Sequence, residues 1–354
     1  MLYQMENQHG GDVYGGGITL DFSANTNPLG TPPGVLDAVC RALPQLHRYP
    51  DPYCRRLVQA IAGHEQVPAS YILCGNGAAD LIYTYCAALQ PRTAVELAPT
   101  FVEYGAGLAQ VGCRVERYFL HQAQNFDLDE RFLSFLEEKK PEVVFLCNPN
   151  NPTGRLIPLP LLEQILQYCA AQGARLFLDE CFLDLTEDGV SAKSLLAAHP
   201  ELLILKAFTK SYGMAGIRLG YCLCADNALL RRMAAASPPW NVSTPAQSAG
   251  VAALAERDFL QRTLSLVRTE RRWLTDNLTA LGFWVCPSHA NYLLFRGPLG
   301  LREGLLQQGI AIRGCGNYNG LGDGWYRIAV RPHGENEALI TATRQFCKEK
   351  SLWQ

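Results

Sequence analysis

Five short apolar runs punctuate the chain, at 94–98, 143–147, 175–178, 202–206 and 219–224, and each is nearly continuous rather than alternating. A strand buried on both faces reads this way, because the period-two alternation disappears when neither face meets water. Segments of helical period separate several of these runs, and strands alternating with helices predict a mostly parallel sheet covered on both faces. The stretch 71–89 adds a further strand, a glycine-containing loop and an apolar helix. A segment rich in alanine and leucine follows Pro245, and around 272–281 it passes into a terminal α/β region. The pattern predicts an α/β protein with a large domain over 41–245. A smaller α/β domain is expected from 246–354, with residues 1–40 packed on it.

Composition narrows the class of protein. A chain of 354 residues that is 48% hydrophobic has material for a large core. A net charge of −2 and a pI near 6.4 give no general reason to expect nucleic-acid or membrane partners, so substrate charge must be met by local arginines. The thirteen cysteines are scattered without a C-x-x-C pair or accompanying histidine spacing. They predict reduced, mostly buried thiols and no metal site. The N-terminus carries neither a basic region nor an apolar core, and no stretch approaches the ~18 apolar residues of a membrane span. A cytoplasmic enzyme is the expectation.

Four segments carry candidate chemistry. Lys210, in FTKSYGMAGIRLGY, follows an apolar strand and sits in a glycine-punctuated turn, with Arg218 downstream. A lysine amine at a strand end can form an imine with an aldehyde cofactor whose phosphate the arginine neutralises, although a lone turn lysine is more often a solvated surface charge. The run LFLDE delivers Asp179 at the end of a buried strand, where a carboxylate can hold a pyridine nitrogen protonated or simply cap the next element. The string CNPNNPTG follows another buried strand, and Asn151 within it can donate an amide hydrogen or serve as a turn former. In YILCGNGAADLIYTY, free N–H groups at Gly77 and Ala78 open a helix and suit a phosphate. The glycine spacing is neither a dinucleotide fingerprint nor a Walker loop.

In this chain order, the glycine loop, NNPTG, the strand-end aspartate and the TK dipeptide with its following arginine resemble the fold type I pyridoxal 5'-phosphate (PLP) enzymes of the aspartate aminotransferase superfamily, from about Asp21 to about Arg331. The resemblance implies that Lys210 binds PLP covalently and that Asp179 faces its pyridine nitrogen. Thr209, Arg218, Gly77 and Ala78 hold the phosphate in that scheme, and Asn151 the phenolic oxygen. Tyr104 in PTFVEYG is the expected ring on the pyridine, with Phe101 its rival one helical turn away. Tyr49 in RYPDP resembles a tyrosine that reaches a neighbouring subunit's cofactor phosphate, which implies a homodimer with shared sites.

Further strings, HGG at His9, LDFSANTNPLG, RYPDP, PPWNVS, SHANYLLF, IRGCGNY and WYRIAVR, resemble the threonine-phosphate decarboxylases of cobalamin synthesis, whose nearest relatives are the histidinol-phosphate aminotransferases. The implied substrate is a small phosphorylated amino acid, with Arg327 on its α-carboxylate and Arg313 and His9 near its phosphate. Arg331 is a weaker candidate, and Asn25 and Asn291 are expected to line the pocket. Two positions depart from the common aminotransferase pattern: Phe182 stands where many carry a tyrosine, and Ala207 where many carry a serine or threonine. The alternative activity is histidinol-phosphate-type amino transfer. A non-catalytic PLP-binding regulator is disfavoured, because no basic helix-turn-helix extension precedes Asp21.

Overall fold

In the computed structural model, which describes residues 9–350, seven strands form the central sheet: β1 (Ile72–Gly75), β2 (Thr93–Ala98), β3 (Arg114–Phe119), β4 (Val143–Cys147), β5 (Arg175–Asp179), β6 (Leu202–Ala207) and β7 (Gly220–Cys224). Their order is β1-β7-β6-β5-β4-β2-β3. Only β7 runs against its neighbours, and the strands β6 to β3 are parallel. All five apolar runs became strands of this sheet. β3 escapes that pattern because it lies at the sheet edge: RVERYF alternates, and its six residues are exposed or half-buried.

Register decides where the strands end. Cys147 of β4 pairs with Asp179 of β5, and Asp179 with Leu205 of β6, so the three strands finish nearly level. The loops that follow them share the C-terminal edge of a parallel sheet, where open α/β folds bind ligands. Helices cover both faces. On one side the helix Ala78–Leu89 buries Leu81, Ile82 and Tyr85, whose ring meets Phe145 and Phe177 edge-on. On the other, Leu161, Leu162 and Ile165 of the helix Leu159–Gln172 pack with Leu57, Ile61 and Phe132.

A second, antiparallel sheet has the order β10-β11-β9-β8, from β8 (Trp284–Val285), β9 (Tyr292–Arg296), β10 (Arg313–Gly314) and β11 (Trp325–Ala329). The long helix Phe259–Ala280 and the last helix, His333–Glu349, pack on it through Leu274, Leu278, Leu339, Ile340 and Phe346. The segment near the N-terminus joins this region: Leu20–Asp21 pairs in parallel with Ile310–Ala311. A few residues later Asn27 donates to the Ser211 carbonyl (2.7 Å) and to Thr263 Oγ1 (2.9 Å). One amide thus ties the lysine turn to the long helix. No described helix is long and apolar enough to cross a membrane.

One charged cluster lies inside the large sheet's packing. Lys206 of β6 is 5% exposed, and its Nζ lies 2.9 Å from Asp184 Oδ1 and 3.2 Å from Glu65 Oε1. Glu65 also receives Lys193 Nζ (2.8 Å) and the Tyr221 hydroxyl (2.5 Å). Burial alone would lower the Lys206 pKa, but Asp184, Glu65 and Glu180 outweigh it and hold the ammonium charged. Deleting one member of a buried ion cluster leaves the others uncompensated and costs about 3–5 kcal/mol. Lys206→Met is therefore expected to lower the urea midpoint by that equivalent at an unchanged slope. A loss below about 1 kcal/mol would show that the cluster is not coupled to folding.

Candidate active site

The level strand ends converge on a cavity of about 390 Å³. From β6 the chain makes a single helical turn, Phe208–Ser211, which turns Thr209 and Lys210 to the cavity wall. Burial, together with the guanidinium groups of Arg327 and Arg218, pushes the Lys210 amine down to about 8, against the pull of Asp179. The lysine is thereby poised between ammonium and nucleophilic amine near neutral pH. Its Nζ stands 5.6 Å from the centre of the Phe182 ring.

Asp179 ends β5 in the same wall and is 5% exposed. Its Oδ2 accepts the Tyr104 hydroxyl at 2.6 Å, and its Oδ1 accepts the Cys181 N–H at 2.8 Å. Burial raises its pKa, and these donors and Lys210 only partly offset the rise. A buried carboxylate of this kind is completed by a cationic partner, and a protonated pyridine nitrogen fits that need.

The loop after β4 is pinned on both sides. The Asn150 side chain donates to the Pro99 carbonyl and accepts from Thr100, while Tyr292 of β9 donates to the Asn150 carbonyl at 3.0 Å. Asn151 beside it offers Oδ1 to Arg327 Nη1 at 2.5 Å, which leaves its Nδ2 hydrogens as donors. After β1, Gly77 takes φ +87 as the residue capping Ala78–Leu89. A Cβ there would come within 2.8 Å of Arg218 Nη2, so glycine lets the guanidinium lie against the helix start. Ala78, Ala79, Thr209 and Arg218 share one part of the wall. Unbonded helix-start amides, a hydroxyl and a guanidinium make a cradle for a phosphate.

The second sheet supplies two arginines. Arg313 and Arg327 are directly opposed partners on β10 and β11, which places both side chains on one sheet face. They are 9% and 6% exposed and line the cavity. Arg327 donates to Asn151 and to the Ser23 carbonyl (2.8 Å), while its Nε is buried without a partner. Arg313 donates to the Gly314 carbonyl and to Asn317 Oδ1 (2.7 Å), and lies over the Tyr318 ring. Asn25, 1% exposed and part of the same wall, has neither side-chain amide atom bonded within the protein. Orphaned polar groups concentrated at a cavity mark a place where a polar ligand completes the bonding.

Of the residues singled out from sequence, His9, Asn25, Ala78, Asn151, Asp179, Thr209, Lys210, Arg218, Arg313 and Arg327 all line this cavity, with Gly77 touching Arg218 behind it. Three expectations need correction. The Gly77 N–H, expected to be free for a phosphate, donates to the Gly75 carbonyl at 2.8 Å, and at the helix start Ala78 and Ala79 line the cavity instead. Tyr104 is fully buried beside Asp179 and does not line the cavity; of the two candidate rings, Phe101 does. The helix starts only at Glu103, so Phe101 lies ahead of it and the two rings do not share a helical face. Asn291 is also fully buried, and its Nδ2 donates to the carbonyls of Asn25 and Thr26 (3.3 Å each). It supports the segment that carries Asn25 instead of facing the cavity.

Tyr49 lies apart from this wall, 78% exposed and stacked on Trp240 at 4.5 Å. Arg331 pairs with Glu335 and lies outside the lining. Sequence reasoning missed Ser23, Glu103, Cys181 and Tyr318, which also line the cavity. Each stands within a few residues of a singled-out position, but only the folded register shows which neighbour turns inward. Among the described residues no cluster of three or more His, Cys, Asp or Glu is placed to hold a metal ion.

Comparison with known proteins places the chain in a family. The family model described as aminotransferase class I and II matches residues 18–344. A threonine-phosphate decarboxylase of Salmonella typhimurium is 41% identical over 331 residues, covering 92% of this chain and 90% of its own length. A histidinol-phosphate aminotransferase of a Geobacillus species is 33% identical over 350 residues, covering 96% of this chain and 93% of its own. The crystal structure of a histidinol-phosphate aminotransferase from Clostridium acetobutylicum is similar with a TM-score of 0.87 at 28% identity, covering 93% of this chain and 99% of that one. With a match that runs through both sheets, the chain belongs to the class I and II aminotransferase family and has the fold type I architecture of PLP-dependent enzymes.

Proposed function

We propose that the chain is a PLP-dependent carboxy-lyase acting on L-threonine O-3-phosphate. The product is (R)-1-amino-2-propanol O-2-phosphate, which serves the nucleotide loop of cobalamin. L-Serine O-phosphate, shorter by one methyl, is a second substrate, since a methyl in an apolar pocket discriminates by only ~1–3 kcal/mol. The observation that carries the reading is the opposed pair Arg313 and Arg327, two buried guanidinium groups on one face beside Lys210. A substrate with both a carboxylate and a phosphate needs two fixed cations, and planar forks suit both groups. The similarity to a threonine-phosphate decarboxylase supports the same substrate.

In this reading Lys210 carries PLP on its amine, with Asp179 on the pyridine nitrogen and Ala78, Ala79, Thr209 and Arg218 on the phosphate. When bound, PLP supplies an electron-withdrawing ring into which the electrons of a broken Cα bond can spread. Arg327 takes the substrate carboxylate and Arg313, with His9, the substrate phosphate. Two anchored ends fix the rotation about the Cα–N bond and hold Cα–COO⁻ in the orientation that breaks. The Lys210 amine would be the group that returns a proton to Cα. Phe101, Phe182 and Tyr318 present rings at the cavity.

The active unit in this proposal is a homodimer with shared sites. Leu36, Leu43, Leu46, Tyr49, Tyr53 and Trp240 are large apolar side chains left exposed on one chain, and exposed apolar surface of that kind suits an interface. Cys147, Cys169 and Cys222 are buried thiols outside any disulfide, which fits a cytoplasmic enzyme.

Purified protein loaded with PLP is expected to release CO₂ from threonine phosphate without any 2-oxo acid. Strict dependence on 2-oxoglutarate, with amino transfer, would instead make it a histidinol-phosphate-type aminotransferase. Lys210→Ala should abolish turnover and the absorbance of the lysine-linked cofactor. In cofactor-free protein, acylation of Lys210 by an activated ester should rise with pH and reach half its maximum at about 8. Arg327→Gln removes a positive neighbour, so it favours the ammonium and should move that midpoint upward.

A further inference from the structure

Glu103 stands in the wall of a cavity that collects the cations Lys210, Arg218, Arg313 and Arg327, and unlike Asp179, the other carboxylate in that wall, it has no cofactor nitrogen to face in the proposed reading. A carboxylate there opposes an anionic substrate through like-charge repulsion, so its presence needs a reason. Its bonds supply one. Glu103 Oε1 accepts His9 Nε2 at 2.8 Å, and Oε2 accepts the Tyr83 hydroxyl at 2.7 Å. The His9 bond is the main cause that draws the Glu103 carboxyl below its usual range, with Tyr83 adding to it against burial.

His9 begins a strap, residues 9–12, that stands between two cavities. The catalytic cavity and a larger one of about 780 Å³ share His9, Gly10, Ser23 and Arg313. The strap lies tightly on Ser23: the Gly11 N–H donates to Ser23 Oγ at 2.7 Å, and a Cβ on Gly10 would fall within 2.2 Å of the Ser23 carbonyl oxygen. That same carbonyl accepts Arg327 Nη2 at 2.8 Å. The strap is thus fastened at one end to Glu103 and at the other to the residue that fixes Arg327.

We propose that Glu103 is a positioning residue: it latches His9 and keeps the strap closed over the catalytic cavity, next to the arginine that takes the substrate carboxylate. The proposal rests on the decarboxylase reading of this cavity, but the latch itself needs no substrate. The latch is a hydrogen bond to an accepting oxygen, which glutamine keeps and alanine removes.

Hydrogen exchange at the Gly11 amide tests this in the PLP-loaded enzyme without substrate. Glu103→Ala and His9→Ala should exchange about fivefold faster than the parent, the equivalent of about 1 kcal/mol, the size of a partly exposed pair. Glu103→Gln should stay within about twofold, and the Cys181 amide, bound to Asp179, should be unchanged in all three. With threonine phosphate, Glu103→Ala should raise KM with little change in kcat, His9→Ala, which also loses a phosphate contact, should raise it at least as much, and the double variant should be no worse than His9→Ala alone. Equal Gly11 exchange in Glu103→Ala and the parent would overturn the latch, as would KM effects that add in the double variant. If threonine phosphate were not turned over at all, the decarboxylase reading would fail while the exchange result still decided the latch. His9 is 42% exposed, so His9→Ala supplies the test even if Glu103→Ala does not fold.

Discussion

Burying charge at the ends of three level strands is the constraint on which the site depends. Two lysines four residues apart show how compensation sets their fates. Lys206 faces Asp184, Glu65 and Glu180, remains an ammonium and is part of the packing. Lys210 faces Arg327 and Arg218 as well as Asp179, and its amine titrates at about 8. The carboxylate of Asp179 is held by one hydroxyl and one backbone amide, too few to satisfy it fully. An incompletely compensated pair in one cavity favours a ligand that brings its own positive nitrogen and electrophilic carbon, as PLP does.

The second sheet adds what the first cannot. Its antiparallel register opposes Arg313 to Arg327, and the loop after β4 reaches across so that Asn151 and Arg327 meet. The N-terminal segment closes the arrangement, with Asn27 on the lysine turn, Asn291 supporting Asn25 and Ser23 against Arg327. These are polar contacts between distant parts of the chain. A loss at one of them should act on the site through position, with little change in core packing.

Much of this was legible in the sequence where the physics is local. Continuous apolar runs predicted the buried strands, and strand-end residues pointed to Lys210 and Asp179. The edge strand β3 was not, because its alternating residues carry no signature of burial on both faces. The sequence puts Tyr104 ahead of Phe101 and the structure reverses them, since their roles turn on where the helix begins, and it begins two residues later than Phe101. In sequence, Asn291 reads as a lining residue, because an asparagine looks alike whether its amide faces a ligand or a neighbouring carbonyl. The opposition of Arg313 to Arg327 depends on strand register, and the tie of Glu103 to His9 spans 94 positions. Neither leaves a trace in sequence spacing.

In the proposed decarboxylation the bond from Cα to the carboxylate breaks and the bond from Cα to hydrogen stays intact. Threonine phosphate deuterated at Cα, turned over in ordinary water and examined by mass spectrometry, tests this directly. The amine product is expected to keep its deuterium on the carbon bearing nitrogen. Loss of that deuterium to solvent, with a keto product in place of CO₂, would contradict it.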